Sequence, residues 1–209
     1  MKRLAYLILG SFLVLSAEPS AMDRQQECVP PVVHKVPVGD DFLPGVFAGE
    51  AKEYDRCRAE NGEIEFQIKL GREALATGFE DYAEAAKWFR MAAEKGNLEA
   101  QTTLGILHME GKGILQDYAE AVNWFRMAAE KGSAKSQLNL ALMHQTGRGV
   151  DKNYVFAHMW YNIAAANGSS EALAKRTLLE QSNAISGQGL LEAQAMAKVC
   201  MNSGYKKCN

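Results

Sequence analysis

Apolar residues in the second half of the chain recur at the spacing of an α-helix, and the whole pattern returns after 36 residues. Residues 81–96 read DYAEAAKWFRMAAEKG, residues 117–132 read DYAEAVNWFRMAAEKG, and residues 153–168, NYVFAHMWYNIAAANG, are a diverged third copy. The offset carries Trp88 onto Trp124 and Trp160, and Gly96 onto Gly132 and Gly168. Within the first copy Tyr82, Ala85, Phe89 and Ala92 stand at i, i+3, i+7 and i+10, one apolar stripe, while Glu84, Lys87, Arg90 and Glu94 face away from it. Asp81, Asp117 and Asn153 stand where N-caps belong. Glu84 and Glu120, three residues on, complete capping-box-like pairs that the third copy loses to Phe156. The closing glycines predict the left-handed stop of each helix.

A second helix precedes each of these. The stretch 97–110 carries Ala100, Leu104, Gly105 and Leu107, and 133–145 carries Leu138, Leu140, Ala141 and Met143. The glycine pairs Gly111/Gly113 and Gly147/Gly149 then break the chain into a turn. Each unit is an antiparallel helical hairpin that must stack on its neighbours to bury its apolar face. Upstream, Leu70–Gly71 matches Leu104–Gly105 after a two-residue deletion; downstream, Gly204 lies 36 residues past Gly168, and Ala193 and Cys200 fall in the same register. The expected fold is therefore all-α, a solenoid of about four hairpins at 63–96, 97–132, 133–168 and 169–204, the outer two degenerate, with a tail at 205–209.

The run AQTTLGILHMEGKGILQDYAEAVNWFRMAAEKG resembles the Sel1-like repeat, a relative of the tetratricopeptide repeat. The resemblance is strongest over 81–168 and fades outward to about 63–204. His108 and His144 depart from the family's usual Tyr, and Ala141 from its helix glycine. The resemblance implies a right-handed α/α superhelix that scaffolds protein complexes, often in bacterial envelopes, exopolysaccharide systems or signalling.

The first residues, MKRLAYLILGSFLVLSAEPSA, have the parts of a secretory signal. Lys2 and Arg3 precede an apolar run from Leu4 to Leu15, shorter than the roughly 20 residues that a bilayer core needs. Cleavage is expected after Ala17, giving a signal peptide at 1–17; the alternatives are a poorer site at Ser20–Ala21 and an uncleaved anchor. No later stretch reads as transmembrane. The segment 18–62 contains Pro30, Pro31, Pro37 and Pro44, and is expected to be an extended arm or a partly disordered linker rather than a long helix.

Export changes what Cys28, Cys57, Cys200 and Cys208 mean. An even count in an oxidising compartment suggests two disulfides among three connectivities. Cys28 and Cys57 both precede the repeats, and Cys200 and Cys208 both close the chain, so pairing within each set is expected; free buried thiols are the alternative. No zinc spacing is present.

A net charge of −2 supplies no basic field for nucleic acid or an anionic membrane. No nucleotide-binding glycine pattern, HExxH or GxSxG occurs. His108 and His144 occupy equivalent repeat positions and are expected to pack at hairpin interfaces, with a shared metal site as the alternative; His158 replaces Val122, and His34 lies in the arm. Ser203-Gly-Tyr-Lys206 formally reads SxxK, the serine–lysine pattern of β-lactam- and peptidoglycan-processing enzymes. Gly204 interrupts the helix that such chemistry needs, and no SDN or KTG companion exists.

By analogy with tetratricopeptide arrays, residues at −5, −2, +2 and +5 from each core Leu line a concave face. These include Thr102, Ile106 and Met109 in the second hairpin, Leu138, Leu142 and Gln145 in the third, and Leu178 in the fourth. Ile106, Leu142 and Leu178 stack into an apolar ridge suited to an amphipathic helix or extended peptide; packing of hairpin on hairpin is the alternative use of these residues. The expected function is an exported, monomeric, non-enzymatic scaffold for an unknown envelope protein or peptide, periplasmic or secreted, without cofactor, metal or nucleic acid. A β-lactam- or peptidoglycan-processing enzyme and a secreted effector that binds host proteins are the alternatives.

Overall fold

The computed structural model describes residues 27–31, 34–38, 41–45, 48–77 and 81–208, the backbone alone within 34–48. The expected signal peptide lies outside the described residues. Two strands, β1 (His34–Val38) and β2 (Asp41–Gly45), pair antiparallel with Val36 opposite Leu43. They lead into α1 (Ala48–Glu60). Four pairs of helices follow: α2 (Ile64–Thr77) with α3 (Tyr82–Glu94), α4 (Leu98–Glu110) with α5 (Tyr118–Ala129), α6 (Ala134–Thr146) with α7 (Tyr154–Ala166), and α8 (Ser170–Gln181) with α9 (Gly187–Asn202). Among the described residues no helix is long and apolar enough to cross a membrane.

Local chemistry sets the helix ends. The side chains of Asn97, Asp117, Ser133, Asn153 and Ser169 each accept a backbone N–H of the following first turn, satisfying donors the helix cannot pair itself. Asp81 does not; its carboxylate instead accepts the Thr77 hydroxyl. Gly96, Gly132 and Gly168 stop their helices at φ of 87°, 89° and 94°.

Hairpin packing follows from one size rule. A Cβ added at Gly71 would lie 2.9 Å from the Phe89 ring, and one at Gly105 would lie 2.6 Å from Phe125. The glycines therefore let α3 and α5 approach α2 and α4 ring-first, and Phe89 and Phe125 are fully buried. Ala141 holds the corresponding place in α6, and the larger Tyr161 of α7 donates its hydroxyl to Gln145.

Between hairpins, a buried amide does the joining. Gln101 Nε2 donates to the Ala93 carbonyl at 3.0 Å, and Gln137 Nε2 to the Ala129 carbonyl at 3.0 Å. Each glutamine adds a further hydrogen bond to a carbonyl at the end of the preceding helix, one that already accepts the N–H of the closing glycine and has a second lone pair to offer. Outside it, Lys131 Nζ reaches the Gly96 carbonyl at 3.3 Å, a cation at a helix C-terminus.

This joint reveals what the arm contains. Gln67 Nε2 donates to the Ala59 carbonyl at 2.9 Å, Lys95 donates to the Gly62 carbonyl, and Gly62 has φ 92°. Ala59 and Gly62 precede Ala93 and Gly96 by 34 residues, so α1 stands as the second helix of a further, incomplete repeat. The expected extended arm is thus helical over its last third. The prolines all lie before residue 48 and do not oppose this helix. Its core-facing position is polar: Asp55 stands where Phe89 and Phe125 stand, is buried, and pairs with Lys69. The Cys28–Cys57 disulfide ties the preceding segment to α1.

The last pair departs from the pattern. α9 leaves α8 and packs on α7. The connecting residues 182–186 lack the glycine pair of the earlier turns, and Asn183 takes φ 54°. The Cys200–Cys208 disulfide closes a loop whose Tyr205 hydroxyl donates to Asn167 Oδ1 at 2.9 Å, while its ring lies beside Gly132. Asn167 is too short for the reach that Lys131 makes, and Tyr205 covers Gly132 instead.

The turn glycines give a test. A Cβ at Gly113 (φ 71°) would lie 2.2 Å from the Tyr82 carbonyl carbon, whereas one at Gly168 (φ 94°) meets nothing within 4 Å. Gly168→Ala should cost only the left-handed backbone penalty, about 1–2 kcal/mol, and Gly113→Ala substantially more. Urea denaturation of both variants measures the difference.

Candidate functional site

The first helices of successive hairpins, α2, α4, α6 and α8, carry the residues expected on the concave face. Ile106 and Met109 of α4 and Leu138 and Leu142 of α6 come together around a cavity of about 510 Å³. Leu138 is 8% exposed; Ile106, Met109 and Leu142 are half-buried. Glu110, Lys135 and Glu171 rim the cavity. The result is an apolar trough between two helices, with charges of both signs at its edges.

Two expected residues are occupied elsewhere. Thr102 is buried and its hydroxyl lies 2.7 Å from Ser136 Oγ and 3.2 Å from Ser133 Oγ, joining α4 to the start of α6. Gln145 accepts the Tyr161 hydroxyl within its own hairpin. Leu178 continues the row of Ile106 and Leu142, but is 64% exposed on α8 and does not line the trough.

Toward the N-terminus the same face changes character. A second concavity of about 630 Å³ runs between α2 and α4, lined by Ile64, Ile68, Arg72 and Glu99. Arg72 donates from both Nε and Nη2 to the two Glu99 carboxylate oxygens at 2.6 and 2.5 Å. Arg72 occupies the register of Ile106, so the ridge begins with a charge. Leu70 as the core reference, with the 34-residue offset, would have placed it. The pair is solvent-exposed and adds little stability. Its effect is to set a polar end on the trough.

Three of the histidines sit against packing or hydrogen-bond partners. His108 Nε2 lies 3.2 Å from Arg90 Nη2 across the α3/α4 joint, and His144 stacks on Phe156 at 5.2 Å between centroids. His158 is buried, with Nε2 2.7 Å from Glu180 Oε1, which bridges α7 to α8. The His34 side chain lies outside the described residues. Among the described residues no group of three or more His, Cys, Asp or Glu side chains is placed to hold a metal ion. The Ser203 hydroxyl donates to the Cys200 carbonyl at 2.8 Å and accepts the Lys207 N–H at 3.0 Å. Gly204 (φ 62°) and Tyr205 (φ 66°) carry the chain out of the helix between Ser203 and Lys206. Ser203 thus serves as the end cap of α9.

Stacked helical hairpins, amide joints between them and a concave trough define a repeat solenoid of the kind that binds other proteins. A model of the Sel1 repeat matches residues 64–97, 98–133 and 134–169, about half of the chain. The chain belongs to the Sel1 repeat family, whose fold is a protein–protein interaction fold. No curated protein matches it. Among solved structures it is similar to a protective antigen present in uropathogenic Escherichia coli strains that displays an SLR fold, with a TM-score of 0.68 and 29% identity. That match covers 76% of this chain and 35% of the antigen, so this protein spans about a third of its length. It is also similar to a Sel1 repeat protein from Oxalobacter formigenes, with a TM-score of 0.52 and 31% identity over 59% of this chain and 94% of that one.

Burial lowers the pKa of both His108 and His144, and the Arg90 and Arg126 charges push the same way. The unfolded chain takes up protons near the ordinary imidazole value, while the folded rings resist. The stability from keeping both rings neutral is therefore complete above that value and is lost as pH falls through it toward the folded-state values. Urea unfolding at pH about 7.5 and about 5.5 should show the decline. His108→Tyr with His144→Tyr should flatten it.

Proposed function

We propose that this protein is an exported, non-enzymatic scaffold that binds a partner protein or peptide in the concave trough between α4 and α6. The trough carries the reading: Ile106, Met109, Leu138 and Leu142 form an apolar floor beside opposite charges. A methionine in such a floor adapts to the shape of an inserted side chain, and an apolar floor with charged edges suits a helix face or an extended segment. Two disulfides in a chain with a signal-like start support folding in an oxidising compartment, periplasmic or extracellular. The engagement of Ser203 with backbone groups supports a binding rather than a hydrolytic role.

Ile106→Asp with Leu142→Asp places two carboxylates on the floor at half-buried positions. Crosslinking of the full chain in its native cells, followed by mass spectrometry, should recover a partner with the parent protein and lose it with the variant. The variant's circular dichroism should stay helical. Unchanged crosslinks in a folded variant would sink the trough reading. Export has its own check: thiol trapping of intact cells should find all four cysteines oxidised. Cell fractionation then separates a periplasmic scaffold from a secreted effector. Removing either disulfide by Cys→Ala pairs should cost about 2–4 kcal/mol in denaturation.

A further inference from the structure

Every first helix of a hairpin before the last is covered by its own second helix. Gly71 and Gly105 receive the rings of Phe89 and Phe125, and Ala141 with Tyr161 holds the same places in the third hairpin. Thr177 of α8 stands at this register. The helix due to cover it is α9, whose corresponding residue is Ala197. α9, however, packs on α7, and Ala197 is fully buried. Thr177 is exposed, as are Ser170, Leu173, Ala174, Leu178 and Gln181. These fall at i, i+3, i+4, i+7, i+8 and i+11, an uncharged stripe along the whole of α8 with Leu173 47% and Leu178 64% exposed. The charges beside it are matched within α8: Glu171 with Lys175 at 3.8 Å, and Arg176 with Glu180 at 3.4 Å.

We propose that the outer face of α8 is the seat for an amphipathic helix of a partner protein, one that lays an aromatic side chain between Leu173 and Leu178 and stands farther from α8 than Phe89 and Phe125 stand from α2 and α4, because Thr177 carries the Cβ that Gly71 and Gly105 lack. The occupant takes the place of the covering helix that the array supplies three times and then withholds. The seat is continuous with the hairpin interfaces that precede it, and their chemistry specifies the ring and its small neighbours. Because the flanking charges are already paired, the seam of the occupant is uncharged. A second copy does not meet this description. Among the described residues its large exposed apolar side chains are aliphatic or methionine, so it has no free ring to offer.

The array's own covering helix provides the probe. A synthetic peptide of residues 117–132, stapled between positions 123 and 127, which are exposed in α5, presents Ala121, Phe125 and Ala128 as one helical face. Titrated into the full-length oxidised protein, it should bind at micromolar to sub-millimolar concentration (~10⁻⁶–10⁻⁴ M) and shift the methyl resonances of Leu173 and Leu178. Phe125→Ala in the peptide, or Leu178→Asp in the protein, should weaken binding about tenfold or more. Ile106→Asp with Leu142→Asp should leave it unchanged, which separates this seat from the trough. The proposal is overturned if the parent peptide does not bind, if either the Phe125 or the Leu178 substitution leaves affinity unaltered, or if the shifts map to the trough. Sedimentation of the protein alone supplies a further outcome: a dimer that Leu178→Asp dissociates would replace the partner helix with a second copy.

Discussion

A ring resting on a helix that has no side chain beneath it sets the geometry of this molecule. Phe89 on Gly71 and Phe125 on Gly105 fix how closely the two helices of a hairpin approach. That distance decides which faces remain to meet the next hairpin. Phe125 is completely buried, so truncating it to alanine belongs with the costliest core changes, about 3–5 kcal/mol. The glycine pays in helix propensity for an approach that, at the spacing of the first two hairpins, a Cβ would forbid. The amide joints can form only once this spacing places Gln101 and Gln137 under the preceding helix ends.

Much of this was legible in the sequence because it is written in residue types with few alternative uses. A cap, a left-handed glycine and an aromatic at fixed offset leave little freedom once they recur at 36 residues. The half-repeat at α1 was hidden for two physical reasons. A two-residue deletion moves Ala59 and Gly62 out of the 36-residue register, and Asp55 occupies the aromatic's place, so no apolar stripe marks the helix. The position of α9 was hidden differently. Ala193 and Cys200 fit the register, but small residues pack as well on α7 as on α8, and the connection without glycines lets the helix swing to α7.

The candidate site was legible in outline only. Offsets from the core leucines placed Ile106, Met109, Leu138 and Leu142 on one face, where the trough lies. They could not separate these from Thr102 and Gln145, whose polar atoms are taken by Ser136 and Tyr161, because a spacing rule carries no information about hydrogen-bond partners. The same rule applied one repeat earlier reaches Arg72, whose pair with Glu99 makes the face polar at that end.

The glutamine joints also say where the natural unit of the array begins. Gln67, Gln101 and Gln137 each bind the end of the helix before them, so a polar seam joins each hairpin to the one that precedes it. Phased by that seam, the module runs from a covering helix into the helix that follows: α1 with α2, α3 with α4, α5 with α6, α7 with α8. Three of these modules carry the seam, α7 with α8 lacks it, and α9 is left over, packed on α7. Leu173, where a fourth glutamine would stand, marks the place at which lengthening by duplication loses its adhesive.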